Sequence, residues 1–351
     1  MLYQYLQENT RYVSIQLGIG GLQTETAEQT RRTRYGDCKA LTNYLYAMLQ
    51  IVGVESVPAL IRSGNPGDDI NPELPHQPFN HVILCVPPAP DETQSDSLWV
   101  EATSNTFAAN YIGLGNAGKH VLMFNESGGR LTRTPALTAD DNTQHRRAEV
   151  QLSESGEASA KVQTLYGGAQ HEPIRAAERG MRPREQHSFL DAHVRTSDFA
   201  IEHYSFSSDT LAAGEAGLSL ELRLPRYGRV MGNRMFFNPN LMQRRRYQVE
   251  ENPSRSADIY LSYPYFDTDE IHWELPDGFV PEALPQPVSM MYAFGHFSSR
   301  VAYDEAGHRL IFRRELRLNE AQIDAAHYDD FRRMLNEAVR QDDQQVVLVK
   351  S

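Results

Sequence analysis

The sequence predicts an α+β core, a helix packed on an antiparallel sheet, followed by a mainly β domain. Three observations carry this reading. From Cys38 to Gln50, Leu41, Leu45, Met48 and Leu49 recur at helical steps. Three short apolar segments then follow at 56–62, 79–87 and 98–103, separated only by loops. That order, one helix and then three strands, suits a sheet covered by a helix. Beyond residue 142 the chain turns into short alternating segments divided by turn signals.

Taken in order, residues 1–9 read as the end of a helix without a cap, and 11–18 as a short alternating strand. Gly18, Gly20 and Gly21 form a loop, and 24–33 is a polar helix or turn. Gly36 permits a sharp turn with unusual backbone angles. Asp37 is placed to cap the helix that starts at Cys38, and Gly53 stops it. The segment 56–62 is a strand, and 63–78 is a Gly/Pro/Asp loop. The run 79–87 is nearly continuous in apolar residues, as expected of a strand buried on both faces. A loop of Pro, Asp and Ser leads to the strand 98–103.

Between 125 and 142 the composition shifts to Gly, Ser, Thr, Pro and Asp, which marks a linker. The domains are therefore a core at 1–125, a linker at 126–142 and a β-rich domain at 143–351. In that last domain, strands are expected at 147–152, 158–166, 200–206, 218–224, 257–263, 271–275 and 310–318. Ser155-Gly156, Pro276-Asp277-Gly278 and Asp304-Glu305-Ala306-Gly307 supply turns. One polar helix is expected at 171–194. A second starts near 319–321 with Ile323, Tyr328, Phe331, Met334, Leu335 and Val339 on its apolar side, and a strand closes the chain at 345–350.

The 351 residues carry 34 basic against 46 acidic side chains, net −12, which argues against a nucleic-acid or anionic-membrane footprint. No apolar run reaches the length of a membrane span. The N-terminus lacks the basic, apolar and small-residue regions of a signal peptide. Two cysteines make no disulfide framework and leave the compartment open.

One of those cysteines stands out. Cys38 falls in the first turn of a helix, where unpaired N–H groups and the helix dipole favour a thiolate. The bland alternative is a small buried hydrophobe. Thiol catalysis also needs a base and a group that orients it. His81 begins a buried strand, and Glu101 lies inside an otherwise apolar one. Each is costly there without a partner. Adjacent antiparallel strands bring His81 and Glu101 side by side, with the Cys38 helix on the same sheet face.

Weaker candidates are Gln23 and the Tyr35 hydroxyl, which would assist the Cys38 backbone N–H in an oxyanion hole. Cys85 reads as packed core. A zinc site from Cys38, His76, His81 and Cys85 lacks a paired short Cys/His spacing. The run Gln243-Arg244-Arg245-Arg246-Tyr247 reads as a solvated segment, and Trp99 and Trp273 as core. No metal or cofactor is expected.

Together, Gly36-Asp37-Cys38-Lys39 before a helix, Phe79-Asn80-His81-Val82 in a strand and Leu98-Trp99-Val100-Glu101-Ala102-Thr103 resemble the transglutaminase-like superfamily of papain-fold thiol enzymes. The resemblance spans roughly residues 10–115 and is closest to a bacterial branch whose cores sit between β domains of unknown function. It extends loosely to Tyr263-Pro264-Tyr265 and to Ile271-His272-Trp273-Glu274-Leu275-Pro276. It implies Cys38 as nucleophile, His81 as base and acid, and Glu101 as orienter, where many members have aspartate. The implied activity is hydrolysis or transamidation of a peptide or other amide bond. The chain begins inside the family's pattern, so a preceding β domain and the first core helices are expected outside it. The branch is often exported, so the resemblance implies a periplasmic or exported protein. The other reading is an inactive core kept as a binding or scaffold module, with the sheet edges of the β domain as docking sites for a protein partner.

Overall fold

The computed structural model describes residues 1–350 except 16–17, 66–67, 75, 89–95, 127, 195, 197, 209–213, 243–246 and 253. The basic run 243–246 therefore lies outside the described residues, as do positions 16–17 of the expected first strand. The chain divides into two compact units, one built mainly from residues 1–137 and the other mainly from 138–351.

The first unit opens with α1 (Leu2–Asn9), β1 (Arg11–Tyr12), α2 (Ala27–Thr33), β2 (Tyr35–Gly36) and α3 (Cys38–Ile51). It continues with β3 (Val57–Ile61), β4 (His81–Val86), β5 (Leu98–Val100), β6 (His120–Asn125) and β7 (Gly128–Arg133). α1 is held by burial, because Leu6 packs fully buried against Leu41 and Leu45 of α3. The strand expected at 11–18 shrinks to β1, which pairs in parallel with β2 and so ties the chain to the start of α3. The main sheet is antiparallel throughout, in the order β5-β4-β3-β6-β7.

β4 is buried on both faces, as its apolar run foretells. Leu84 joins Val100, Leu41 and Leu45 under α3, while Ile83 and Cys85 join Ala59, Ile61, Trp99 and Val121 on the opposite face. β6 pairs antiparallel with β7, so a strand at Gly128–Arg133 lies in the first half of the expected linker. Five of the six β7 residues are exposed and two are glycine, which leaves no alternation to read.

The second unit contains β8 (Thr143–Leu152), β9 (Ala158–Gly167), α4 (His171–Gly180), α5 (Pro183–His193), β10 (Ala200–Ser207), β11 (Glu215–Leu224), β12 (Arg229–Met231) and β13 (Arg234–Phe237). It goes on through β14 (Ile259–Tyr260), β15 (Tyr265–Glu274), β16 (Phe279–Ala283), β17 (Val288–Tyr292), β18 (Gly295–Asp304) and β19 (Arg309–Leu318). β20 (Gln322–Ile323), α6 (Tyr328–Asp342) and β21 (Val346–Lys350) complete it. An eight-stranded sheet runs β10-β11-β9-β8-β15-β19-β18-β17. Its one parallel pair, β8–β15, joins segments more than a hundred positions apart. A four-stranded sheet, β12-β13-β21-β16, shares a core with it through Met235, Phe237, Val346 and Leu348.

Two helical expectations change here. The helix foreseen at 171–194 is two helices, because Pro183 sits at the start of α5 and disfavours helical geometry in the residue before it. The last helix begins at Tyr328, not near 320. Ile323 is in β20, paired with Ile259, and packs on the α6 core from a strand.

Candidate active site

Cys38 is the first residue of α3, and its neighbours fix it there. Asp37 is extended, and its carboxylate accepts a hydrogen bond from the Ala40 N–H at 3.0 Å, capping the helix. The other carboxylate oxygen meets the Lys39 ammonium. Gly36 does not take the unusual angles expected of it, because it lies in β2 outside the positive-φ region. Space requires it instead: a Cβ there would stand 2.7 Å from that of Ala40.

His81 is the first residue of β4. Just before it, Asn80 clips the loop to the end of β3. Its side chain accepts from the Ser63 N–H at 2.8 Å and donates to the Ser63 carbonyl at 2.9 Å. By strand alternation His81 is in step with Ile83 and Cys85, on the face away from α3. The sequence reading put helix, histidine and glutamate on one face. Instead, Cys38 and His81 each open their element, so they meet at the end of the sheet. The Thr42 hydroxyl, donating to the Val82 carbonyl at 3.2 Å, holds the two starts together.

Glu101 follows directly on β5 and is 4% exposed. Its carboxylate is saturated. One oxygen accepts from the Thr103 N–H at 2.9 Å and the Thr103 hydroxyl at 2.5 Å. The other accepts from His81 Nε2 at 2.7 Å and from Asn116 Nδ2 at 2.7 Å. The bonds to Thr103 fold the chain into a turn, which is why the strand ends three residues before the sequence reading had it. An ionised carboxylate only accepts, so Nε2 carries the proton, which leaves Nδ1 as the ring nitrogen able to serve the Cys38 thiol.

Burial opposes a charged imidazole here, but the hydrogen bonds to Cys38 and Glu101 and the charges of both partners outweigh it. The His81 ring is pushed up to about 10. Burial likewise opposes the Glu101 carboxylate, but His81 and Thr103 hold it below the ordinary carboxylate value. The resting state that these directions favour is imidazolium beside carboxylate.

Cys38 and His81 open onto a cleft of about 440 Å³. Tyr12, Leu22, Leu60 and Phe79 give it apolar walls, and Lys39, Gln77 and Asn80 add polar groups. Gln23 and Tyr35 are not among the residues lining it, and both are exposed. Cys85 is buried in the core behind β4, where burial pushes its thiol up. The His76 ring is exposed and bonds the Leu74 carbonyl. Among the described residues no group of three or more His, Cys, Asp or Glu side chains is arranged to hold a metal. The sequence reading missed Thr103 and Asn116. Thr103 carries a signal in retrospect, since a hydroxyl two residues after a buried acid is placed to bond it. Asn116 carries none, because only the fold brings a short 3₁₀ turn at Leu114–Asn116 beneath Glu101.

DUF3858, a domain of unknown function with a solved structure, matches residues 233–348. No curated protein shows significant sequence similarity to the chain. Among solved structures, a protein from Parabacteroides distasonis described as a putative protease superposes over 99% of this chain with a TM-score of 0.54 at 12% identity. The chain spans 50% of that protein's length. At this identity the similarity is one of fold.

Proposed function

We propose that this protein is a thiol-dependent acyl-transfer enzyme of the transglutaminase-like type, acting on peptide or other amide bonds. One observation supports the reading most: Cys38 and His81 line the same cleft, and the His81 ring is held from its other side by Glu101 at 2.7 Å. The α+β core, with a helix on an antiparallel sheet, and the fold similarity to a protein described as a putative protease agree with it. In this reading residues 1–133 are the catalytic core, and the β-rich remainder is a separate domain whose sheet edges offer places for a protein partner.

The chemistry follows from the arrangement. The Cys38 thiolate attacks the amide carbon, and the carbonyl pair moves onto oxygen, where the backbone N–H groups at the start of α3 stabilise it. The tetrahedral species collapses, the C–N bond breaks, and His81 Nδ1 gives its proton to the leaving amine. A thioester to Cys38 remains. Water then attacks with His81 accepting its proton, and Cys38 leaves as thiolate. An amine in place of water gives transamidation. Glu101 stays ionised and fixes the ring.

The test is a set of chromogenic peptide amides with mass detection of a Cys38 thioester in acid-quenched samples. Wild type should release amine and show the adduct, and Cys38→Ala should do neither. Turnover that survives Cys38→Ala would overturn the reading, as would the absence of any adduct with substrates that are turned over.

A further inference from the structure

Resting on that reading, we propose that Asn116 is a positioning residue of the site, acting on His81 and Cys38 through the Glu101 carboxylate. The argument begins with an anomaly. Asn116 is 4% exposed and sits beside the core of Ile112, Trp99 and Val121. Its Nδ2 donates to Glu101 at 2.7 Å and to the Ile112 carbonyl at 2.8 Å. Its Oδ1 is buried with no hydrogen-bond partner among the described residues. A buried, unsatisfied acceptor is unfavourable, and leucine of similar size would avoid it. Flipping the amide would turn its oxygen toward a carboxylate, so the orientation is dictated by Glu101. The amide is thus kept where a purely structural residue would be apolar, and it spends its donors on the anion that orients the histidine.

The electrostatic sign is fixed by counting charge. With the thiol protonated, imidazolium and carboxylate make the buried site neutral, and thiolate formation takes it to one net negative charge. The Asn116 N–H dipole points its positive end at that site and favours the step. Its hydrogen bond also stabilises Glu101 as an anion, so the Nε2 proton stays on the ring. Thr103 saturates the other oxygen in the same way, which fixes the carboxylate plane.

The experiment is the pH profile of iodoacetamide labelling of Cys38, in a Cys85→Ser background of the full chain. Asn116→Leu removes the donor and the orphaned acceptor together. It should keep the melting temperature while moving the acid limb of the profile up by about one pH unit, a roughly tenfold loss of rate on that limb. Asn116→Asp replaces the donor with a second carboxylate and should move it further. In a Glu101→Gln background, Asn116→Leu should lose most of its effect, because the path through the carboxylate is gone. A profile in Asn116→Leu superimposable on the parent, or a shift equally large without Glu101, overturns the proposal. Failure of both Asn116 variants to fold also overturns it, since the residue is then structural. These outcomes are distinct from failure of the enzyme reading itself, in which the parent protein would label like an ordinary thiol.

Discussion

At the scale of residues the candidate site rests on Cys38 opening α3, His81 opening β4 and a buried Glu101 just past β5. Cys38, His81 and Glu101 are legible in the sequence because a thiol at a helix start, a histidine opening an apolar strand and an acid inside another are each out of place. Of the partners of Glu101, Thr103 carries a local signal two residues on, whereas Asn116 carries none until the fold brings it in. Glu101→Gln keeps the shape but removes the charge. It should lower turnover with folding largely intact, while Glu101→Asp should be milder. Equal activity in wild type and Glu101→Gln would remove the carboxylate from the mechanism. The raised His81 ring also predicts a pH dependence of stability. Its contribution is full below the ordinary value of 6.5 and is lost as pH rises through about 10. Glu101, held low, contributes above its ordinary value of 4.5 and loses that contribution as pH falls through its folded value. Denaturant midpoints read from Trp99 should fall between pH 7 and 10, and His81→Gln should flatten that fall.

Among the elements, α3 and β4 follow their sequence patterns closely, because one element has helical periodicity with a cap and the other an apolar run. The edges of elements are less legible, since side chains acting locally set them. Thr103 ends β5, Pro183 divides α4 from α5, and Asp324, which accepts from the Ala326 N–H at 2.7 Å, helps delay α6. The junction of β2 with α3 yields the clearest prediction at this scale. Gly36→Ala meets the Ala40 Cβ and should destabilise the protein by about 1–3 kcal/mol, with faster hydrogen exchange at the start of α3. Asp37→Ala removes the cap and should cost about 1 kcal/mol. An unchanged melting temperature in Gly36→Ala would show that β2 can yield there.

For the whole molecule, composition and turn spacing give an α+β core and a mainly β region, but not the pairing order of the large sheet. The β8–β15 contact depends on polar groups that read as exposed in sequence. Arg146 of β8 meets Asp269 of β15 at 2.8 Å, and Arg314 of β19 meets Asp342 at the end of α6 at 2.8 Å, all of them buried. Asp342 also accepts from the Asn240 amide at 2.9 Å. Removing one member leaves a buried charge without its partner, so Asp342→Ala should destabilise the second unit by about 3–5 kcal/mol. Trp99 and Trp273 are the only two tryptophans and lie in different units, so single-tryptophan variants report on each separately. The Trp273 transition should move, and its persistence at the parental midpoint would mean that Arg314 finds another partner.

The central claim is that Cys38 is an activated nucleophile. Its most direct test is the rate of alkylation of Cys38 relative to Cys85 in the native protein at neutral pH, followed by peptide mass mapping. The place of Cys38 at the start of α3 beside His81, against the core-buried Cys85, predicts labelling of Cys38 faster by a factor of at least about a hundred, and that advantage should collapse in His81→Ala. Equal or slower labelling of Cys38, or an advantage untouched by His81→Ala, would contradict the account.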